Sequence, residues 1–548
     1  MSQRSMWIGG AVALLWLTMM GMLFERELGG ARVGSGAVAP APATPQSVWL
    51  GVYSGSGEVG GETARRVGHV HLHTSAEERH GSDGVRTTAA SRMTLDLMGR
   101  ATDLEVTGVV WRAASANASA TAADGAPRAE VDVAVRSNGA EFALRGAVLG
   151  ETFRGTIVSA GEELPLELPV PGDLLLETGF GQAVRFPTLE PGDDVRIASL
   201  DPLTLQRGTA RVRCLAIETL QIGGRSIEAR KLEVDAGGFT SLAWVDENGE
   251  VLRASTPLGL EIRRLAPGER RVLDADGSVS ARDTEADLDP GSESDGGFLG
   301  LTAIRPDGPR PRRGLERLVV RVDGLGVELR PVGEPPSADV SLPSDGAQRL
   351  VGEVLTVTAI GPAEPAQSEV ESGLIGRPRP EHLAPDPFVQ SEHPRILERA
   401  QSIVAPLAEE ADDWARAVAL HDWVYERIDK EPVVSIPSAL EVLESRRGDC
   451  NEHTVLYTAL ARAIGLPTRI AVGLVWSDEL DGFYYHAWPE VWIADASAGA
   501  RWIRLDPTLG QPVADATHIK LLEGGIETWP RLLPTLGRLE FTILELAP

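Results

Sequence analysis

The sequence predicts a multidomain chain in which β-rich amino-terminal and middle modules precede a carboxy-terminal α+β domain. Three observations carry that expectation. First, 548 residues exceed what a single core organises, since domains hold about 100–200 residues. Second, 59 glycines and 37 prolines punctuate the chain and favour strands and turns over long helices. Third, helical periodicity enters only after residue 394. A hydrophobic content of 43% suffices for packed cores. The formal net charge of −27 argues against nucleic acid or anionic lipid as a partner, because such binding draws on clustered cations. Two cysteines, Cys214 and Cys450, exclude a disulfide scaffold and a Cys-rich zinc module. Lys231, Lys430 and Lys520 are the only lysines among 52 cations, a codon bias that suggests a bacterial gene.

Residues 1–28 read as a transmembrane anchor or signal peptide. Met6 to Phe24 carries no ionisable side chain, and its length falls within the ~17–25 residues that span a hydrocarbon core. Arg4 before it and Glu25 and Glu27 after it favour a cytoplasmic amino end. The expected location is the bacterial inner membrane, single-pass with the bulk outside the cytoplasm. Secretion after cleavage is the alternative. Residues 29–46 form an Ala/Pro/Gly-rich linker.

Residues 47–268 read as a β-rich domain. Alternating runs recur at 131–136, 142–146, 210–217 and 242–252, the last interrupted by Glu247-Asn-Gly-Glu250, a hairpin turn. His69, His71 and His73 alternate along one strand face. Imidazoles so placed can bind a metal, but without acidic or Cys partners at ligand spacing a solvated face is favoured. Cys214 lies in an alternating run and reads as a core residue. Residues 269–297 form an acidic linker, and 298–378 a small β-rich module with runs at 318–323 and 352–360.

Residues 379–548 change texture. Helices are expected at 395–407 and 412–428, the second with Trp414, Val418, Trp423 and Ile428 on its apolar face. After Cys450, apolar Val455, Leu456, Ala459, Leu460 and Ala463 follow a helical period until Gly465 and Pro467 stop it. Cys450 thus occupies a helix's first turn, where the dipole can lower a thiol's pKa and the amide N–H can serve an oxyanion. Strands follow at 468–476 and 485–493, the latter with His486, Trp488, Glu490 and Trp492 on one face. The chain then returns through Trp502 to Thr508. If the last two pair as a hairpin, His486 and Asp506 become neighbours, and the Cys450 helix can face them. A thiol nucleophile needs that set: a base, and a third group to orient it.

Three strings, Gly448-Asp-Cys450 with Ala461 to Arg469, His486-Ala-Trp-Pro-Glu-Val491, and Trp502-Ile-Arg-Leu-Asp506-Pro-Thr508, occur in order. In these the chain resembles the transglutaminase-like superfamily. The resemblance covers roughly residues 383–548 and implies a papain-like core. It implies Cys450 as nucleophile, His486 as general base and acid, and Asp506 as the residue that orients the imidazole. The implied reaction is attack on an amide or peptide carbonyl, with a thioester passed to water or an amine. Hydrolysis is favoured over cross-linking, on a protein or peptide substrate, with envelope proteins as further partners. No cofactor or metal is needed for that chemistry. The alternative is a non-catalytic envelope binding or assembly protein that retains the scaffold. Glu452 and His453 read as wall or capping residues and His421 as structural. Glu490 either lines the cleft or pairs with Arg504.

Overall fold

Fourteen antiparallel strands follow from the alternating sequences of the amino-terminal half. In the computed structural model the first eight, Gln46–Ser54 through Glu162–Pro169, each pair with the next, and so do the last six, Asp194–Leu200 through Leu260–Arg264. The two series join where Gln46–Ser54 pairs with Leu260–Arg264. The structure describes residues 46–54, 65–80, 84–97, 100–113, 127, 129–137, 140–150, 152–159, 162–169, 189–200, 207–236, 239–247, 251–255 and 260–266 of this half. In the other half it describes 303–324, 342–362, 377–408, 411–431, 438–495, 499–524 and 539–548. The anchor expected at 6–24 and the linkers at 29–46 (but for Gln46) and 269–297 lie outside the described residues. Among the described residues, no helix is long and apolar enough to cross a membrane.

Period-two alternation places Val48, Leu50 and Val52 on one face, where Val48 and Leu50 oppose Leu72 and Val70 on the next strand. A second apolar cluster gathers Val212, Cys214, Leu232 and Val245, and a third Ala229, Trp244 and Leu252. Cys214 is the core residue its strand implied, and both cysteines are free thiols. The histidine face is not the solvated one expected. His71 stacks on Trp49 at 4.1 Å between ring centroids and His69 is buried beside it, while His73 is exposed. An indole on the facing strand gives the imidazoles an apolar partner that their own strand does not reveal.

Residues 295–548 belong to a second compact unit. Its helices are α1 (Pro394–Val404), α2 (Asp413–Arg427), α3 (Ala439–Ser445) and α4 (Cys450–Ala463). Strands β1 (Arg317–Asp323), β2 (Gln348–Val351), β3 (Val354–Thr358) and β8 (Glu540–Ala547) make one sheet in the order β2-β3-β1-β8. Strands β4 (Thr468–Ser477), β5 (Gly482–Asp495), β6 (Gly499–Arg504) and β7 (Ile519–Glu523) make a second, in the order β6-β5-β4-β7, and Asp429–Lys430 pairs with Arg447–Gly448 in a short parallel third. Pairing of β1 with β8 ties the stretch read as a separate small module to the carboxy-terminal strand.

α4 is the hub: α1, α2, α3, β4 and β5 all pack against it. Its apolar run is buried almost throughout, and it ends at Ala463, with Gly465 at a φ of 83°. α2 turns a different stripe inward from the one expected. Ala417, Leu420, His421 and Val424 are buried, and Ile428 at its end is buried as expected, whereas Trp414, Val418 and Trp423 are half-buried. Trp423 instead lies under the guanidinium groups of Arg399 and Arg446, an amphipathic use of the indole that a hydrophobicity count misses. At Gly473 of β4, an added Cβ would sit 2.0 Å from the Ile519 carbonyl oxygen, so only glycine lets β7 approach this closely.

Candidate active site

Asp449 caps α4. Its carboxylate accepts from the Asn451 N–H at 2.9 Å, and Glu452 reaches back to accept from the Asp449 N–H at 2.9 Å. This capping box sets Cys450 as the first helical residue. Gly448 is required beneath it, since a Cβ there would meet the Glu452 Cβ at 2.2 Å. Thr454, one turn on, donates from its hydroxyl to the Ala487 carbonyl at 3.1 Å. The first turn of α4 is thereby held over β5 at the residue beside His486. The Ala487 N–H lies within hydrogen-bonding reach of the Cys450 thiol.

His486 and Asp506 meet as the hairpin reading required. β6 pairs with β5 from Glu490 opposite Arg504 to Asp495 opposite Gly499, and Asp506 lies just past the end of β6. His486 Nε2 donates to Asp506 Oδ2 at 2.7 Å, and both side chains are fully buried. Asp506 Oδ1 accepts from the N–H groups of Thr508 and Leu509 at 2.8 and 2.9 Å. The His421 Nε2 donates to the Asp506 carbonyl at 3.0 Å, which gives that histidine its structural role. Two imidazoles at Oδ2, those of His486 and His518, act foremost, and with the two N–H groups at Oδ1 they hold the carboxylate well below its ordinary pKa against the cost of burial.

The thiol departs from the expectation of a lowered pKa. Burial, with the Asp449 charge next, pushes Cys450 well above the ordinary thiol range, and the Ala487 N–H opposes this only in part. The helix dipole is real, but the capping carboxyls at the same terminus offset it. Burial and the Asp449 charge also push Glu452 far up, so the Asp449–Glu452 pair shares a proton. His453 packs its Nδ1 on the Asp449 carbonyl at 2.7 Å, and burial pushes it down to about 4, which keeps it neutral as a wall residue.

Sequence reasoning missed two sets of residues. His518, just before β7, donates its Nε2 to Asp506 Oδ2 at 3.0 Å. The second set is a buried ionic cluster. Glu490 Oε2 receives Arg469 Nε at 2.6 Å and Lys520 Nζ at 2.8 Å, and its Oε1 faces Arg504 Nε at 3.2 Å. Asp345 binds Lys520 at 2.8 Å and Arg504 at 3.0 Å, and Glu523 closes the set on Arg469 at 2.7 Å. Glu490 is therefore a paired structural charge and not a cleft residue. Two signals pointed towards the cluster: the pairing of Glu490 with Arg504 offered as one of its two readings, and Lys520 as one of three lysines in the chain.

Among the described residues, His486, Asp506 and His518 form the cluster whose ligand atoms lie close enough, within 4.8 Å, to be weighed as a metal site. The same atoms serve as hydrogen-bond partners: Asp506 Oδ2 receives both imidazoles, at 2.7 and 3.0 Å, and Asp506 and Asp515 push His518 up to about 9 against the cost of burial.

A thiol thus stands at the start of a helix fastened to the strand that carries a buried imidazole–carboxylate pair. Residues 399–507 match the transglutaminase-like superfamily, so the carboxy-terminal unit carries a transglutaminase-like domain. No curated protein matches the chain. Among solved structures, one described as a candidate cysteine protease from Cytophaga hutchinsonii is 16% identical, with a TM-score of 0.23, covering 41% of this chain and 83% of its own. A β-barrel-like protein of a domain of unknown function from Brucella abortus is 10% identical, with a TM-score of 0.23, over 41% of this chain and 95% of its own. An exported protein with a YmcC-like fold from Bacteroides fragilis is 9% identical, with a TM-score of 0.17, over the same shares. Likenesses this remote carry no argument about the chain.

Proposed function

We propose that this protein is a papain-like cysteine hydrolase of amide or peptide bonds, with Cys450 as nucleophile, His486 as general base and acid, and Asp506 orienting the imidazole. The observation that carries the reading is the 2.7 Å bond from His486 Nε2 to Asp506, on the strand to which Thr454 fastens the Cys450 helix. With Nε2 committed to Asp506, Nδ1 is the nitrogen that takes the thiol proton. Because burial holds the thiol protonated, deprotonation accompanies attack and no ion pair stands ready beforehand. Sulfur bonds to the carbonyl carbon, and the Cys450 N–H at the helix terminus receives the developing oxyanion. His486 returns the proton to the departing amine, leaving a thioester that water cleaves with the same imidazole as base. The acceptor is water in preference to an amine, and the work is done outside the cytoplasm, as the apolar segment at 6–24 implies.

A specific observation favours the rival reading, a non-catalytic scaffold: Cys450 is only 9% exposed. The full-length protein, purified and offered a peptide library with and without an amine acceptor, separates the two. Cleavage should fall by about 10³-fold or more in Cys450→Ser and in His486→Gln, as loss of an activated nucleophile or its base demands. Equal cleavage in wild type and both variants, or none by wild type on any peptide, would leave the scaffold reading standing.

A further inference from the structure

Asp506 serves two imidazoles through one oxygen. Its Oδ2 receives His486 Nε2 at 2.7 Å and His518 Nε2 at 3.0 Å. The other ring nitrogen of His518 faces acceptors as well: the Asp515 carbonyl at 3.1 Å and the Asp515 Oδ1 at 3.3 Å. A carboxylate and a carbonyl can only accept, so both nitrogens of His518 carry hydrogen, and the ring is an imidazolium. Asp515 is itself pinned, accepting from the Gly314 N–H and from Gln511 Nε2, each at 2.8 Å, and from the Thr517 hydroxyl at 2.5 Å. Nothing in the acyl-transfer chemistry uses His518, yet it is fully buried and spends both donors on aspartates. A proton-carrying ring is costly to bury and is retained only where its charge is matched.

We propose that His518 is a positioning residue of this site, an imidazolium that binds the same Asp506 oxygen as His486 and shares its negative charge. The inference rests on the roles given above to Cys450, His486 and Asp506. In an isolated imidazole–carboxylate pair, the whole carboxylate charge holds the proton on the imidazole. Here His518 takes up part of that charge, which leaves His486 freer to exchange a proton with a buried thiol. The other groups around the site do not duplicate this. Asp449 and Glu452 face it from α4, Lys430 faces Asp506, and Tyr484 lies beside Cys450 on β5. His421 places its Nε2 on the backbone carbonyl of Asp506 and its Nδ1 2.9 Å from Asp422 Oδ1, so both of its donors are spent away from the Asp506 carboxylate, and Arg504 donates to the backbone carbonyl of His518 at 3.0 Å. Trp488 contributes a ring at 5.1 Å, edge to face.

The experiment follows alkylation of Cys450 by iodoacetamide against pH in the full-length protein, read by mass spectrometry of the Cys450 peptide. His518→Gln keeps a donor for Asp506 but removes the positive charge. Cys450 and His486 then both hold their protons more tightly, so the rise in reactivity moves to higher pH, by about one unit for a neighbouring buried charge. In peptide cleavage kcat falls about tenfold while KM stays constant, the split expected of a group that acts on the base and not on substrate. Asp515→Asn, which loosens the hold on His518 and keeps the ring, moves the profile the same way by less, and decides the matter if His518→Gln does not fold. Superimposable profiles for wild type and the folded variants overturn the role of His518. If His486→Gln also leaves the wild-type profile unchanged, the catalytic reading itself fails and takes this inference with it.

Discussion

The two units solve the problem of charge in opposite ways. In the amino-terminal unit, ion pairs such as Arg145–Asp132 and Arg154–Glu167 join exposed side chains, the Arg253–Glu261 pair is only partly buried, and the described core clusters are apolar. In the carboxy-terminal unit Lys520, Arg469, Arg504, Glu490 and Asp345 lock together beneath β4 and β5, with Glu490 and Lys520 fully buried. A surface pair tolerates slack because water screens it. A buried cluster holds only in one geometry, and Arg504 carries that geometry to the His518 carbonyl. The unit that must hold an imidazole, a carboxylate and a thiol in register is the one that has accepted the cost of buried charge.

The sharpest way to break this contrast is Lys520→Met. It leaves Glu490 and Asp345 short of a cation, and loss of one partner from a buried ionic set costs about 3–5 kcal/mol. Denaturant melts monitored by calorimetry should show the carboxy-terminal transition falling by that amount and the other transition unmoved. Leu232→Ala is the counterpart in the amino-terminal unit. Leu232 is buried among Val212, Cys214 and Val245, and the cavity should cost about 2–4 kcal/mol in that transition alone.

Proton linkage gives a smaller, signed effect. His518 titrates at about 9 in the folded protein against 6.5 for a free histidine. Its stabilisation is complete below pH 6.5 and is lost as pH rises towards 9. The carboxy-terminal melting temperature should therefore decline across that interval, less steeply in His518→Gln. Glu523 works at the other end, held down to about 2 by His382 and Arg469, so its contribution is present above 4.5 and is lost on acidification towards 2. A flat melting temperature from pH 6.5 to 9 would show that His518 is not charged in the native state. The smallest effect belongs to Arg145→Ala. Both partners of its pair are about half exposed or more, and the change should stay within about 0.5 kcal/mol by urea titration.

What the sequence disclosed divides along the same line. Alternation announced the strands, and the period after Cys450 announced α4, because both repeat over short distances. His486 and Asp506 were legible because a hairpin brings them together across twenty positions. Asp345 was not, since its partners are set by packing between distant segments, as in the 159 positions from Asp345 to Arg504; His518 stands only 12 positions from Asp506, but the irregular stretch between them has no period that announces the contact. The raised Cys450 thiol was missed for a related reason. Helix position was visible, whereas burial and the shared proton of Asp449 and Glu452 depend on what covers them.

Pairing of β1 with β8 also has a consequence in time. Arg317 and Glu545, ion partners across that pair, stand 228 positions apart. At translation speeds of about 5–20 residues per second, β1 waits roughly 10–45 s for its neighbour to be made. Over that interval its edge is open, while the Cys450 helix has already emerged. That sheet closes only once β8 is made, well after the Cys450 helix is complete.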